Sequence, residues 1–359
     1  MPKWVKCGRR SSPRASPLTR NARSGENDRR AAAGDGVRFS TYLAGVAAAG
    51  LASALISAQP AEPPPHKSSW PALVSGSNPA EMGASLDLGP DLERGRSARS
   101  ELEEHRRLTL ALSGLAPQRR GVVDAYVVAI GLDSDPVFGR EAREAGKVLS
   151  RRFDAAGRTL VLAGGDGRSP GRLPMGSLHA LSLAFARVAE LIDPDEDVLV
   201  LYATGHGAPY GLTYHDGDQG YGVLTPSRLA RLLDDQRLRN RLLILSACYS
   251  GVFLPVVWSD TTALLTAASA ATTSFGCAAD NDWTFFGDAM INRALRKPQP
   301  LTAASAEALR LVNAWESAKK YEPSYPQVSI GARVDSWLKP LEARMPKTAM
   351  APVGRPAAQ

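Results

Sequence analysis

His206 and Cys248 stand 42 residues apart, each at the end of an apolar run that stops at a turn of small residues. The first run is Asp197-Val-Leu-Val-Leu-Tyr-Ala-Thr-Gly-His206-Gly207, and the second is Arg241-Leu-Leu-Ile-Leu-Ser-Ala-Cys248-Tyr-Ser-Gly251. A thiol is a weak nucleophile until it ionises, and an imidazole within reach can take its proton. The pair could therefore perform acyl transfer. That chemistry also needs N–H donors aimed at the developing oxyanion, and the backbone of glycine-containing turns such as Gly207 or Ser250-Gly251 leaves room for such an approach. Each residue alone has a plainer explanation. A cysteine on an apolar strand is usually core, and a histidine beside glycine is usually a turn residue. The case comes from finding both at neighbouring strand ends.

The elements that would position the pair can be read from the pattern of the chain. Both runs are continuously apolar rather than alternating, as strands buried on both faces of a parallel sheet require. In such sheets the carboxyl ends of the strands open into the ligand crevice. From about Arg119 onward strands and helices alternate. A strand at Val122–Ile130 leads through Asp133-Ser-Asp-Pro136 to a helix over Phe138–Phe153, and a strand at Thr159–Ala163 is followed by a helix over Ser177–Ile192. The His206 run comes next, then a helix opened by Thr225-Pro226, a good N-cap with proline at N1. After the Cys248 run follow a strand at Thr262–Ala268 and helices at Phe285–Leu295 and Ala303–Lys319. This order predicts an α/β fold, with a mostly parallel central sheet and helices on both faces.

The net charge of +7 resembles a nucleic-acid signal until it is located. Ten of the 43 Lys/Arg and three of the 36 Asp/Glu fall in residues 1–38, so the remaining 33 of each sign cancel. The body of the chain is neutral, which argues against a nucleic-acid partner. Residues 39–58 are uncharged and rich in Ala, Gly and Ser, the composition of a signal-peptide core or a weak membrane anchor. Membrane contact is expected through that segment. The protein is expected to be exported or anchored in the inner membrane, with its catalytic domain in the periplasm or cell envelope. Residues 59–118 read as a linker rich in Pro, Ser and Gly followed by a charged, partly helical segment, with Leu108, Leu112 and Leu115 on one side. Residues 119–344 form the expected domain, and 345–359 read as a disordered tail.

Other candidates are weaker. His215, Asp216 and Asp218 cluster in a polar loop, but one histidine and two loop acids lack metal-ligand spacing, and turn chemistry accounts for them. Gly164-Gly-Asp-Gly167 lacks the ending of a phosphate loop. His179 lies off the apolar stripe of its helix, and His66 and His105 sit in uninformative stretches. No cofactor and no metal are expected. Of three cysteines, Cys7 precedes the uncharged segment, so an exported chain would keep Cys248 and Cys277. A disulfide between those two is the main alternative to a nucleophilic Cys248.

At these residues the chain resembles the legumain-like cysteine peptidases, relatives of the caspases, and most closely their bacterial exported members. The resemblance spans roughly Arg119–Arg344. It rests on Thr204-Gly-His206-Gly207, on Ser246-Ala-Cys248-Tyr-Ser-Gly251, and on Thr273-Ser-Phe-Gly-Cys277 followed by Thr284-Phe-Phe-Gly-Asp288. The His-then-Cys spacing is near the separation of about 50 residues in caspases. The resemblance implies a caspase-like three-layer sandwich acting on peptide or protein substrates, with Cys248 as nucleophile and His206 as base. The amides of Gly207 and Cys248 would form the oxyanion hole. Ser274, Asp288 and, on a softer alignment, Arg140 would line a pocket for Asn or Asp, and no obligatory third catalytic residue is implied. Ser246 stands where legumain has an acidic residue, which leaves that preference open. The alternatives are a transpeptidase or ligase working through the same thioester, or a catalytically silent caspase-fold module that binds envelope partners.

Overall fold

A computed structural model describes residues 70–164 and 172–358 of the 359-residue chain. In chain order its elements are α1 (Pro79–Asp87), β1 (Asp91–Glu93), α2 (Ala98–Ser113), β2 (Ala125–Gly131), α3 (Pro136–Arg152), β3 (Thr159–Leu162), α4 (Leu178–Leu191) and β4 (Val198–Thr204). There follow β5 (Gly207–Ala208), β6 (Gly211–Asp216), β7 (Gly220–Leu224), α5 (Pro226–Asp235), β8 (Arg241–Ser246), a 3-10 turn at Ser250–Phe253, α6 (Leu254–Val257) and β9 (Thr262–Thr266). The chain continues with α7 (Phe285–Gly287), which runs into a π-helical segment over Asp288–Ala294, then α8 (Leu301–Lys319), β10 (Gln327–Ile330) and α9 (Asp335–Ala343).

The main sheet has the order β10-β9-β8-β4-β2-β3, parallel except for the antiparallel edge strand β10. Every residue of β2, β4, β8 and β9 is buried. Alternate residues face opposite layers because side chains on a strand alternate. On one face Val127, Ala129, Val200, Tyr202, Leu242 and Ile244 pack with Val148 and Leu149 of α3, Ala308 and Val312 of α8, and Trp337 of α9. On the other, Tyr126, Val128, Leu199, Leu201, Leu243 and Leu245 pack with Leu181 and Phe185 of α4 and Leu229 and Leu233 of α5. Each such Leu or Phe contributes about 1.5–3 kcal/mol by leaving water. This is the expected three-layer α/β sandwich. The helix ends are set locally: Thr225 Oγ1 accepts from Arg228 N at 3.1 Å ahead of Pro226, and Ser177 Oγ accepts from Ala180 N at 3.0 Å.

Three segments differ from the sequence reading. The polar stretch around His215 is not a loop but the tip of a hairpin, with β6 and β7 pairing antiparallel and Gly217 at φ 54° in the turn. Leu212, Tyr214 and Leu224 of its strands enter the core, while Tyr214 and Asp216 also meet charged partners. Those partners come from the charged stretch read as partly helical: β1 adds to β7, and Arg96 pairs with both Glu93 and Asp216. Residues 70–118 are therefore built into a second sheet, β1-β7-β6-β5, and into α1 and α2. The third correction is the tail read as disordered. Val353 N donates to Asn292 Oδ1 at 2.8 Å, Trp283 Nε1 donates to Val353 O at 2.8 Å, and Ala357 N donates to Asp288 Oδ2 at 2.9 Å. Buried side chains thus satisfy its backbone, which apolar periodicity could not reveal. The basic segment 1–38 and the uncharged segment 39–58 lie outside the described residues. Among the described residues, no helix is long and apolar enough to cross a membrane.

Candidate active site

β4 and β8 are parallel neighbours, with Thr204 opposite Ser246, so their carboxyl ends emerge side by side. Gly205 N donates to Ser246 O at 3.4 Å, and His206 and Cys248 leave the sheet together. Gly207 then passes directly against the Cys248 backbone: a Cβ at Gly207 would lie 1.9 Å from Cys248 O and 3.0 Å from Cys248 N. Only glycine permits that approach. After Cys248 the chain turns sharply. Tyr249 adopts φ 56°, an uncommon left-handed conformation for a residue with a side chain, and its N–H donates to Thr272 O at 2.9 Å before the 3-10 turn begins. The turn leaves Cys248 half-buried at the sheet's edge.

Cys248 is a free cysteine, so it does not pair with Cys277. Ser274 N donates to its Sγ at 3.2 Å, the Ser274 hydroxyl lies 3.5 Å from the sulfur, and Ser274 O is 3.6 Å away. Burial pushes the thiol above its ordinary value, while the Ser274 hydroxyl and amide pull it back down. Ionisation therefore calls for a nearby base or cation. His206 is held through its carbonyl, which accepts from Thr213 N at 2.9 Å and Thr213 Oγ1 at 3.1 Å. Its ring meets Phe138 edge-on at 5.0 Å. Nε2 faces two carboxylates, Asp135 Oδ2 at 3.7 Å and Asp133 Oδ2 at 3.9 Å. The ligand atoms of these three residues lie within 4.8 Å of one another. The arrangement is equally that of a base and its counter-charges, and no described feature beyond it points to a cation.

Under this surface lies a residue absent from the sequence reading, Glu141. It is completely buried on the inner face of α3, and its carboxylate gathers both strand ends. Thr204 Oγ1 donates to it at 2.9 Å and Tyr202 OH at 3.1 Å, both from β4. Thr284 donates twice, from N at 2.8 Å and from Oγ1 at 2.6 Å. The Thr284 hydroxyl also lies 3.2 Å from Ser246 Oγ, two residues before Cys248. Ser246 is thus buried and bonded to Thr284. A signal for Glu141 did exist: it shares the apolar stripe of Phe138, Ala142 and Ala145, where an acid needs a reason.

The remaining candidates are placed as follows. Ser274 sits at the thiol. Arg140 donates to Ala279 O at 3.1 Å and to Asn281 O, with Asp282 3.7 Å from its guanidinium. It tethers the loop after Cys277. Asp288 is fully buried and accepts from Asn292 Nδ2 at 2.8 Å, from Arg293 Nε at 3.2 Å and from Ala357 N. Both side chains thus bond to groups of the chain itself. His215 stands in β6 with Nδ1 3.7 Å from Asp133 Oδ2, its ring flanked by Trp70 and Tyr221. His179 and His105 are exposed.

The model of the peptidase C13 family matches residues 183–331, the stretch that carries His206, Cys248 and Ser274. No curated protein matches the chain closely enough to count as a relative. Residues 183–331, which lie on a mostly parallel α/β sandwich, are thus similar to the peptidase C13 family of legumain-like cysteine peptidases.

Proposed function

We propose that the protein is an active cysteine endopeptidase in which His206 takes the proton of the Cys248 thiol. The thiolate attacks a substrate peptide carbonyl, forming a C–S bond, while the amides of Gly207 and Cys248 donate to the resulting oxyanion. As the tetrahedral intermediate collapses, the C–N bond breaks and the imidazolium protonates the departing amine. A thioester remains on Cys248. Water, deprotonated by the neutral imidazole, then attacks the thioester and releases the carboxylic acid, and the proton returns to the thiolate. An amine reaching the thioester before water would give transpeptidation instead.

The observation carrying this reading is the close passage of Gly207 against Cys248, which joins the two strand ends into one site. The family match supports peptide or protein as substrate. The silent-module alternative loses its chief support, since Cys248 is free. A preference for Asn or Asp before the scissile bond, read by Ser274, Arg140 and Asp288, belongs to the same proposal. So does placement in the cell envelope through residues 39–58.

Thiol-directed acyl-peptide probes carrying Asn, Asp, Arg or Leu at the reactive position, applied in reducing buffer, test it. Labelling mapped to Cys248, lost in His206→Ala and strongest with Asn or Asp, is the expected outcome. Equal labelling by all four overturns the specificity, and no labelling at Cys248 overturns the activity.

A further inference from the structure

The turn between β2 and α3 brings two carboxylates to the proposed base, and this turn is rigidly built. Asp133 Oδ1 accepts from Asp135 N at 2.8 Å. Leu132 N donates to Thr204 O at 2.8 Å, Ser134 N to His215 O at 3.0 Å, and His215 N to Leu132 O at 2.9 Å. The Ser134 hydroxyl accepts from Gly217 N at 3.1 Å. The turn is thereby fixed between the end of β4 and the β6–β7 hairpin. The Asp133 side chain is wholly buried, whereas that of Asp135 is 30% exposed.

A wholly buried carboxylate costs a great deal unless a cation or donors compensate it. Asp133 Oδ2 lies between two imidazoles, His206 Nε2 at 3.9 Å and His215 Nδ1 at 3.7 Å, while Asp135 approaches His206 from the solvent side at 3.7 Å. Opposite charges within about 4–6 Å favour the charged form of a histidine. We infer that Asp133 and Asp135 are positioning residues that hold His206 as an imidazolium, so that Cys248 rests as a thiolate beside it. The step moves one proton, breaking the Cys248 S–H bond and forming an N–H bond on His206, and changes no other bond. It rests on the reading of His206 as the base.

Around the His206 ring stand Asp133 and Asp135 from the turn and Phe138 from α3, while Thr213 of β6 holds the His206 carbonyl and His215 lies on the other side of Asp133. The two carboxylates therefore supply negative charge to a ring that must carry positive charge. The need is plain from the nucleophile's side, since burial opposes its ionisation.

The test is the rate of Cys248 alkylation by iodoacetamide across about pH 5 to 9, read on the Cys248 peptide by mass spectrometry in the full chain. Wild type should react at about pH 6, where an unassisted thiol would not. Asp135→Asn should slow the rate at about pH 6–7 by roughly 5-fold or more and move the remaining rise to alkaline pH, and Asp135→Glu should restore it. In a His206→Ala background, Asp135→Asn should change nothing further. Asp133→Asn should act in the same sense, and its thermal unfolding reports whether the turn survives. A wild-type curve retained by Asp135→Asn, or an equal slowing in the His206→Ala background, overturns the inference. Alkylation needs no substrate. A chain that cleaves no peptide yet shows the carboxylate-dependent curve would refute the peptidase reading and leave this one standing.

Discussion

Ser274 grips the Cys248 sulfur: its amide donates to Sγ at 3.2 Å, and its hydroxyl lies 3.5 Å from the same atom. Donors at a thiolate favour the ionised form, and here they work against the burial that opposes it. Ser274→Ala keeps the amide and removes only the hydroxyl. The thiol should then sit higher, and alkylation of Cys248 at neutral pH should slow by about 2- to 5-fold, the worth of one modest hydrogen bond. An unchanged rate would show that the amide alone holds the sulfur.

Gly207 tests the join between the two strand ends. A Cβ there would press to 1.9 Å from Cys248 O, a backbone atom that cannot swing aside. Gly207→Ala should cut Cys248-dependent turnover by about 100-fold or more, since it disturbs a proposed oxyanion donor and the nucleophile together. Far-UV circular dichroism should remain close to that of wild type, because the residue lies outside the main sheet, in the two-residue strand β5.

Glu141 should matter chiefly to stability. Glu141→Ala abandons the hydroxyls of Tyr202, Thr204 and Thr284 in a dry interior and should cost about 3–5 kcal/mol in urea unfolding. Glu141→Gln keeps the shape and most partners and should cost less.

The same carboxyl gives a pH dependence. Burial raises its folded value above 4.5, outweighing the bonds from Thr284, Thr204 and Tyr202. The folded state therefore holds this proton more tightly than the unfolded chain does. Its contribution is fully present below pH 4.5 and is lost as pH rises through the raised folded value. Unfolding midpoints measured from acid to neutral pH should fall less steeply in Glu141→Gln than in wild type.

The tail should behave as part of the fold. Ending the chain after Met350 removes the Val353 carbonyl from Trp283 Nε1 and Asn292 Nδ2 and the Ala357 amide from the buried Asp288 carboxylate. A loss of about 2–3 kcal/mol in urea unfolding is expected. Equal stability of the shortened and full chains would mean that the tail adds nothing to the fold.

The sheet and the neighbouring strand ends that carry His206 and Cys248 were legible because continuous apolar runs end in Gly-His-Gly and Ala-Cys-Tyr-Ser-Gly. What escaped was built from distant polar contacts. The β6–β7 hairpin reads as a loop because its polar run answers Arg96 and Asp133, while Leu212 and Leu224, which enter the core, stand outside that run. β1 is three residues long and takes its order from Val223 N donating to Pro90 O and from Arg228 pairing with Asp91. Asp133 and Asp135 read as ordinary turn formers, and only the placement of His206 gives them a further meaning. Glu141 was the one miss with a local signal, an acid on an apolar helical stripe.

The proposed function requires that Cys248 and His206 together break peptide bonds. Hydrolysis of a peptide library in reducing buffer by wild type, Cys248→Ala and His206→Ala, each confirmed folded, measures this without an intermediary. Cleavage by wild type and a loss of about 1,000-fold or more in either variant are expected. Cleavage that survives in Cys248→Ala, or a folded wild type with a free Cys248 that cleaves nothing, would contradict it.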